Sequence, residues 1–164
     1  WSDLMVIPWR EEPMVLVTSP SHRFARRGSI PIGELNGETF VGFESALSIR
    51  KAIDRFLRRH GVEVEVALEF DNIENIKRAV EISAGVAILP EPTVAEEVRA
   101  GTLASLTIDG QDPNHRLTRP LAIIHRRHDK LDVTTNLFLE LLTGREPDAV
   151  DSAASQRVSA ASSS

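Results

Sequence analysis

The sequence predicts an α/β fold with mainly parallel strand pairing. Three observations lead there. Short apolar runs alternate with stretches of helical periodicity along the middle of the chain. Turn residues punctuate those segments where one period gives way to the other. The run VAILP is apolar throughout, as a strand buried on both faces would be. Strand and helix alternating in this way place helices against a sheet.

Taken in order, Leu4 to Ile7 and Met14 to Thr18 read as two strand pieces joined by a proline-bounded loop, Pro8 to Pro13. Ser19-Pro20-Ser21-His22 breaks the pattern. Pro31 to Leu35 has the length of one helical turn, and Asn36-Gly37 is a turn signal. Thr39 to Phe43 is a short strand. Ile49 to His60 is a helix with Ile49, Ile53, Phe56, Leu57 and His60 on one face, and Arg50 and the other charges largely elsewhere. Gly61 stops it. VEVEVALEF, from Val62 to Phe70, alternates as a half-exposed strand near a sheet edge.

Asp71-Asn72-Ile73-Glu74 has capping-box spacing with Asp71 as the N-cap, opening a helix that buries Ile73, Ile76 and Val80 and runs to about Ser83. Gly85 allows a turn into the strand Val86 to Leu89, read as a parallel position. Val94 to Ala100 is a short helix stopped by Gly101. Leu103 to Ile108 is a strand, Asp109 to Asn114 a loop, and Leu121 to Ile124 the last strand. A closing helix, Asp132 to Leu142, is expected to bury Val133, Leu137, Phe138 and Leu141. The Ser/Ala tail, 145–164, lacks the apolar bulk to offset its ordering entropy and is expected to be disordered.

Composition narrows the function. The 164 residues are 41% hydrophobic, enough for a core in one domain or two small lobes. A formal charge of -5 disfavours nonspecific nucleic-acid binding by this chain. With no cysteine there are no disulfides and no Cys-based zinc sites, which suits a cytoplasmic protein. No apolar stretch reaches the roughly 20 residues of a membrane span, and no secretion signal is visible. The chain starts at Trp1 rather than Met and reads as part of something longer.

Enzyme signatures are missing: no Gly-x-Ser-x-Gly elbow, no Walker loop, no Rossmann glycine fingerprint. The two histidines of His125-Arg126-Arg127-His128 lack a carboxylate motif and flank two cations, so they read as surface rather than as a metal site. The basic clusters Arg23 to Arg27 and Arg58 to His60 read as charged faces. No catalytic residue, metal ligand or cofactor site is assigned.

Three polar strand ends remain: Phe43 to Ser48, Phe70 to Asn72, and Leu89 to Thr93. Parallel pairing would set them along one rim, where α/β sheets bind ligands. Ser48 can be read as a helix N-cap. Alternatively, Ser45, Ser48 and the free N–H groups form a cradle for an anion, with Arg50 adding positive charge. Both readings stand at this stage.

At DNIENIKRAVEISAGVAILPEPTVAEEVRAGTLASLTI, residues 71–108, the sequence resembles the effector-binding domain of LysR-type transcriptional regulators. Ala84 to Pro90 and Gly101-Thr102-Leu103 occupy the places of that family's turn, Leu-Pro strand and Gly-x-Leu opening. Glu12 to Val17 and Ser21 to Ala25 match the preceding strand and "His-Pro-Leu-Ala" segment, with Arg23 in place of Pro. Arg119 to Ile124 and the last helix match the return strand and closing helix.

The resemblance spans about residues 4 to 143 and implies a periplasmic-binding-protein-like (type 2) two-lobed fold. One lobe would be complete here, with fragments of the other. Residues 1–18 would end the first lobe and cross over, 19–125 would form the second lobe, and 126–144 would return. The implied function is sensing a small-molecule effector, more often than not an anion in that family. The site would include Phe43, Glu44, Ser45, Ser48 and Asn72, with Glu44 turned away, paired to Arg50 or favouring a ligand amine. The implied partners are a second copy, as homodimer or tetramer, and DNA through an N-terminal domain outside this sequence. A periplasmic solute-binding protein shares the architecture, and a small α/β enzyme is the remaining rival.

Overall fold

A computed structural model describes residues 3–110, 116–126 and 131–144. The expected disordered tail, His115, His128 and most of the Asp109–Asn114 loop lie outside the described residues. The chain forms two compact units, Glu11–Pro120 and Trp1–Arg10 with Leu121–Ser164.

In the Glu11–Pro120 unit, strand β1 (Leu4–Thr18) supplies its second half, which pairs antiparallel with β5 (Ala87–Pro90), from Met14↔Pro90 to Val17↔Ala87. On its other side it pairs antiparallel with β6 (Ala104–Asp109), which pairs parallel with β2 (Ser29–Pro31). Strands β3 (Thr39–Phe43) and β4 (Glu65–Phe70) form a parallel pair, with a register shift at Phe40/Val41. A parallel bridge Phe40↔Val86 links β3 to the segment leading into β5. Leu16, Ile30, Phe40, Ile88, Leu89 and Leu106 are each at most 1% exposed and centre the core.

Helix α1 (Ser48–Arg59) buries Ile53, Phe56 and Leu57. Helix α2 (Ile73–Glu81) buries Ile76, Ala79 and Val80, with Ile73 half-buried. A 3-10 turn, Glu91–Val94, precedes the short α3 (Ala95–Ala100), which ends at Gly101 in the left-handed region, φ 75°. Gly85 is required for a different reason. A Cβ there would lie 2.7 Å from the Thr39 carbonyl oxygen, so close backbone approach excludes any side chain.

The second unit contains the first half of β1, most of β7 (Thr118–Arg126) and α4 (Val133–Thr143). Its α4 starts at the N-cap Asp132, whose carboxylate accepts the Thr135 N–H at 2.7 Å. The Trp9 indole donates to the Leu142 carbonyl at 2.7 Å.

Several expectations need correction. β1 is one continuous strand of 15 residues rather than two pieces. Pro8 and Pro13 are both exposed, and a strand tolerates proline where its ladder does not call on the missing N–H. β2 has only three residues and too little pattern to be seen in sequence. Pairing is mixed, because β1 enters antiparallel to both β5 and β6. β4 is exposed along nearly its whole length, including Val66 at 39% and Leu68 at 41%. Helix α2 ends at Glu81, and Ser83 takes φ 63° in the turn that follows. β7 runs well beyond Leu121 to Ile124 at both ends. The largest miss is α4: Val133, Leu137, Phe138 and Leu141 are 53% to 85% exposed. Within its own unit, two strand segments offer too little surface to cover four large apolar side chains.

Candidate functional site

α1 and α2 both follow directly from adjacent parallel strand ends, Phe43 and Phe70, which stand opposite each other in register. That geometry brings two helix N-termini to one place. The Glu44 N–H donates to the Phe70 carbonyl at 3.0 Å and ties the two strand ends together. Between them lies an open cleft of about 420 Å³, lined by Phe43, Leu47, Ser48, Ile49, Asp71, Asn72, Ile73, Glu74 and Arg119.

Three of the five residues expected at a site line this cleft: Phe43, Ser48 and Asn72. Glu44 and Ser45 do not; both are exposed on the loop between β3 and α1. The third strand end, Leu89 to Thr93, does not line this cleft. Its Glu91 lines a separate cavity of about 310 Å³.

The two helix starts differ. α2 is capped by Asn72, whose Oδ1 accepts the Asn75 N–H at 2.9 Å. Asp71, expected as the cap, instead accepts from the Asn72 side-chain amide at 2.8 Å. The Glu74 expected to reach back pairs with Lys77 at 2.8 Å. α1 has Leu47 in its N-cap position and no side-chain cap at all. Ser48 is the first helical residue, so it does not cap the helix; its backbone has already turned helical, one residue too late. The Lys51 N–H reaches the Leu47 carbonyl at 3.2 Å, while the N–H groups of Ser48 and Ile49 have no protein acceptor among the described residues. Free donors and the positive end of the helix dipole therefore open on the cleft.

Arg50 is not the free cation the sequence suggested. It is 9% exposed and turned behind the rim. Its guanidinium donates to the Phe43 carbonyl at 2.6 Å, to Asp54 at 2.9 Å and to Glu69. Burial works against its charge, but the bonds to Glu69 and Asp54 outweigh that and hold its pKa above the usual value. Its acidic partners are thus Asp54 and Glu69 rather than Glu44. The cation that does line the cleft is Arg119, at the start of β7, which pairs with the buried Glu12 at 2.5 Å. Sequence reading missed it because its partner lies 107 residues away.

The cleft can hold a small polar molecule. Phe43, Leu47, Ile49 and Ile73 give it apolar walls. The Ser48 hydroxyl, two free N–H groups and Arg119 supply donors, and Asp71 and Glu74 supply acceptors. Among the described residues no three His, Asp or Glu side chains gather to hold a metal, and none of the helices is long and apolar enough to cross a membrane.

The family model for the LysR substrate binding domain matches residues 1–146. The transcriptional regulator YeiE of Escherichia coli (strain K12), an HTH-type protein, is 29% identical over 139 residues, covering 85% of this chain and 46% of that protein. The HTH-type activator CmpR of Synechocystis is 27% identical over 140 residues, covering 85% of this chain and 45% of CmpR. The chain therefore spans about half the length of these relatives. The Synechocystis CcmR regulatory domain, solved in complex with 2-PG, superposes with TM-score 0.72 at 29% identity, covering 90% of this chain and 69% of that one. The effector-binding domain of QuiR with shikimate superposes at TM-score 0.70 with 14% identity, a likeness of fold alone, covering 87% and 65%. The shared fold is the type 2 periplasmic-binding-protein-like one.

Proposed function

The chain belongs to the LysR substrate-binding domain family, and from that premise we propose that it is the effector-sensing part of a transcriptional regulator. Its relatives are regulators rather than enzymes. The supporting observation is the cleft where the uncapped start of α1, the start of α2 and Arg119 converge. In this reading a small molecule with a carboxylate or similar anionic end accepts from the Ser48 and Ile49 N–H groups, the Ser48 hydroxyl and Arg119. Phe43 packs against its apolar part. Asn72, with Oδ1 committed to its own helix, shapes the opposite wall. Glu44 and Ser45 contact only what protrudes toward the loop.

The Glu11–Pro120 unit, rather than residues 19–125, acts as the effector-holding lobe, with residues 3–10, 121–126 and 131–144 belonging to a second lobe. The regulator works in the cytoplasm as a homodimer or tetramer and reaches DNA through an N-terminal domain outside this sequence. Effector binding alters the assembly's geometry on DNA only through different affinities for its two states.

A thermal-shift screen of small carboxylates and 2-PG against the chain tests the site. A ligand at about a hundred times its Kd stabilises by roughly 2.7 kcal/mol. The expected result is a shift that shrinks in Ser48→Ala. A shift unchanged in both Ser45→Ala and Ser48→Ala places the ligand elsewhere.

A further inference from the structure

Arg50 is buried, charged and bonded to three different elements, and an effector need not touch it. Its guanidinium holds the Phe43 carbonyl at the end of β3, Glu69 on β4 and Asp54 one turn along α1. Leu47, Ser48 and Ile49, which line the cleft, lie between the Phe43 and Asp54 anchors in the chain. Gly42 completes the arrangement: a Cβ there would stand 3.2 Å from the Arg50 Nη1, so the strand leaves room for the guanidinium. The Gly in Phe40-Val41-Gly42-Phe43 thus answers to Arg50, not to a turn.

We propose that Arg50 is a positioning residue for the cleft. It pins the end of β3 and the uncapped start of α1 to β4, and so fixes where the free N–H donors point. As an effector role this rests on the function proposed above. The planar fork is needed because its directed donors reach three acceptors at once; an ammonium is a point charge without that geometry.

Hydrogen exchange on the ligand-free chain tests the pinning. In Arg50→Lys, the Glu44 amide, bonded to the Phe70 carbonyl, is expected to exchange about tenfold faster, while Leu16 and Leu89 amides keep their wild-type rates. Gly42→Ala, which presses on the Arg50 Nη1, is expected to give the same local pattern with all of Arg50's partners intact. A merely structural role raises exchange everywhere together. Unchanged Glu44 exchange in Arg50→Lys, or an equal rise at Leu16 and Leu89, overturns the proposal. Because no ligand is used, a failed effector screen counts against the proposed function, whereas these rates decide the role of Arg50.

Discussion

α1 and α2 open onto the same cleft and begin differently. α2 has a side-chain cap, Asn72, and Lys77, five residues in, is buried against Glu97 at 2.7 Å, the Thr93 carbonyl at 3.1 Å and Glu74 at 2.8 Å. α1 has no cap, and its buried cation faces backward to the strand ends. Asn72 takes the third N–H of α2, on Asn75, whereas the matching N–H of α1, on Arg50, has no acceptor among the described residues; the first two N–H groups are open at both helix starts. The difference is one donor: among the described residues α1 keeps three consecutive N–H groups open where α2 keeps two. It separates the two polar clusters that looked alike in sequence, Glu44 to Ser48 and Asp71 to Glu74.

The contrast is broken most forcefully at Lys77. Lys77→Met leaves Glu97, 20% exposed, without its cation, and its Oε2 already has no hydrogen-bond partner among the described residues. A loss of about 3 kcal/mol in urea unfolding is expected. Next comes the cap: Asn72→Ala is expected to cost about 1 kcal/mol. By contrast, Ser48→Ala is expected to change stability by no more than about 0.5 kcal/mol, since the hydroxyl caps nothing. Equal costs at Asn72 and Ser48 would erase the distinction.

The acid limb offers a finer test. The bond from Lys77 holds the Glu97 pKa below its ordinary value of 4.5, against the opposing effect of burial. The unfolded state then binds the proton first, so this contribution is present above 4.5 and lost as pH falls through the lower folded value. Glu97→Gln should flatten the stability-versus-pH curve in that acid window and leave its slope near neutrality unchanged. For Leu47→Asp a new cap is expected to offset lost apolar contact to within about 1 kcal/mol. That variant should weaken anion binding at the cleft, since its carboxylate takes the free donors.

Local chemistry made α1, α2, β3 and the helix stops at Gly61 and Gly101 legible, because each depends on residues a few positions apart. Phe43, Ser48 and Asn72 were picked out from the strand ends in the same local way, and all three line the cleft. What failed to show were facts set by distant partners. Arg50 looked exposed because Glu69, 19 residues on, is invisible to a helical wheel. Arg119 needed Glu12, and the mixed pairing needed β1 between β5 and β6. The choice of Asn72 over Asp71 turned on which residue stays extended, φ -133° and ψ 152°, before the helix begins. Periodicity likewise gave α4 an apolar face but said nothing of whether the chain provides its cover.

The most direct test of an effector cleft at these helix starts is a titration of the chain with 2-PG and small carboxylates, followed by amide NMR shifts. The Ser48 and Ile49 amides should move most, saturably, with smaller changes at Phe43 and Ile73. Saturating shifts centred elsewhere, for example at Asp109 and Gly110 beside the second cavity, or no saturable shift at Ser48 and Ile49 with any ligand, would contradict it.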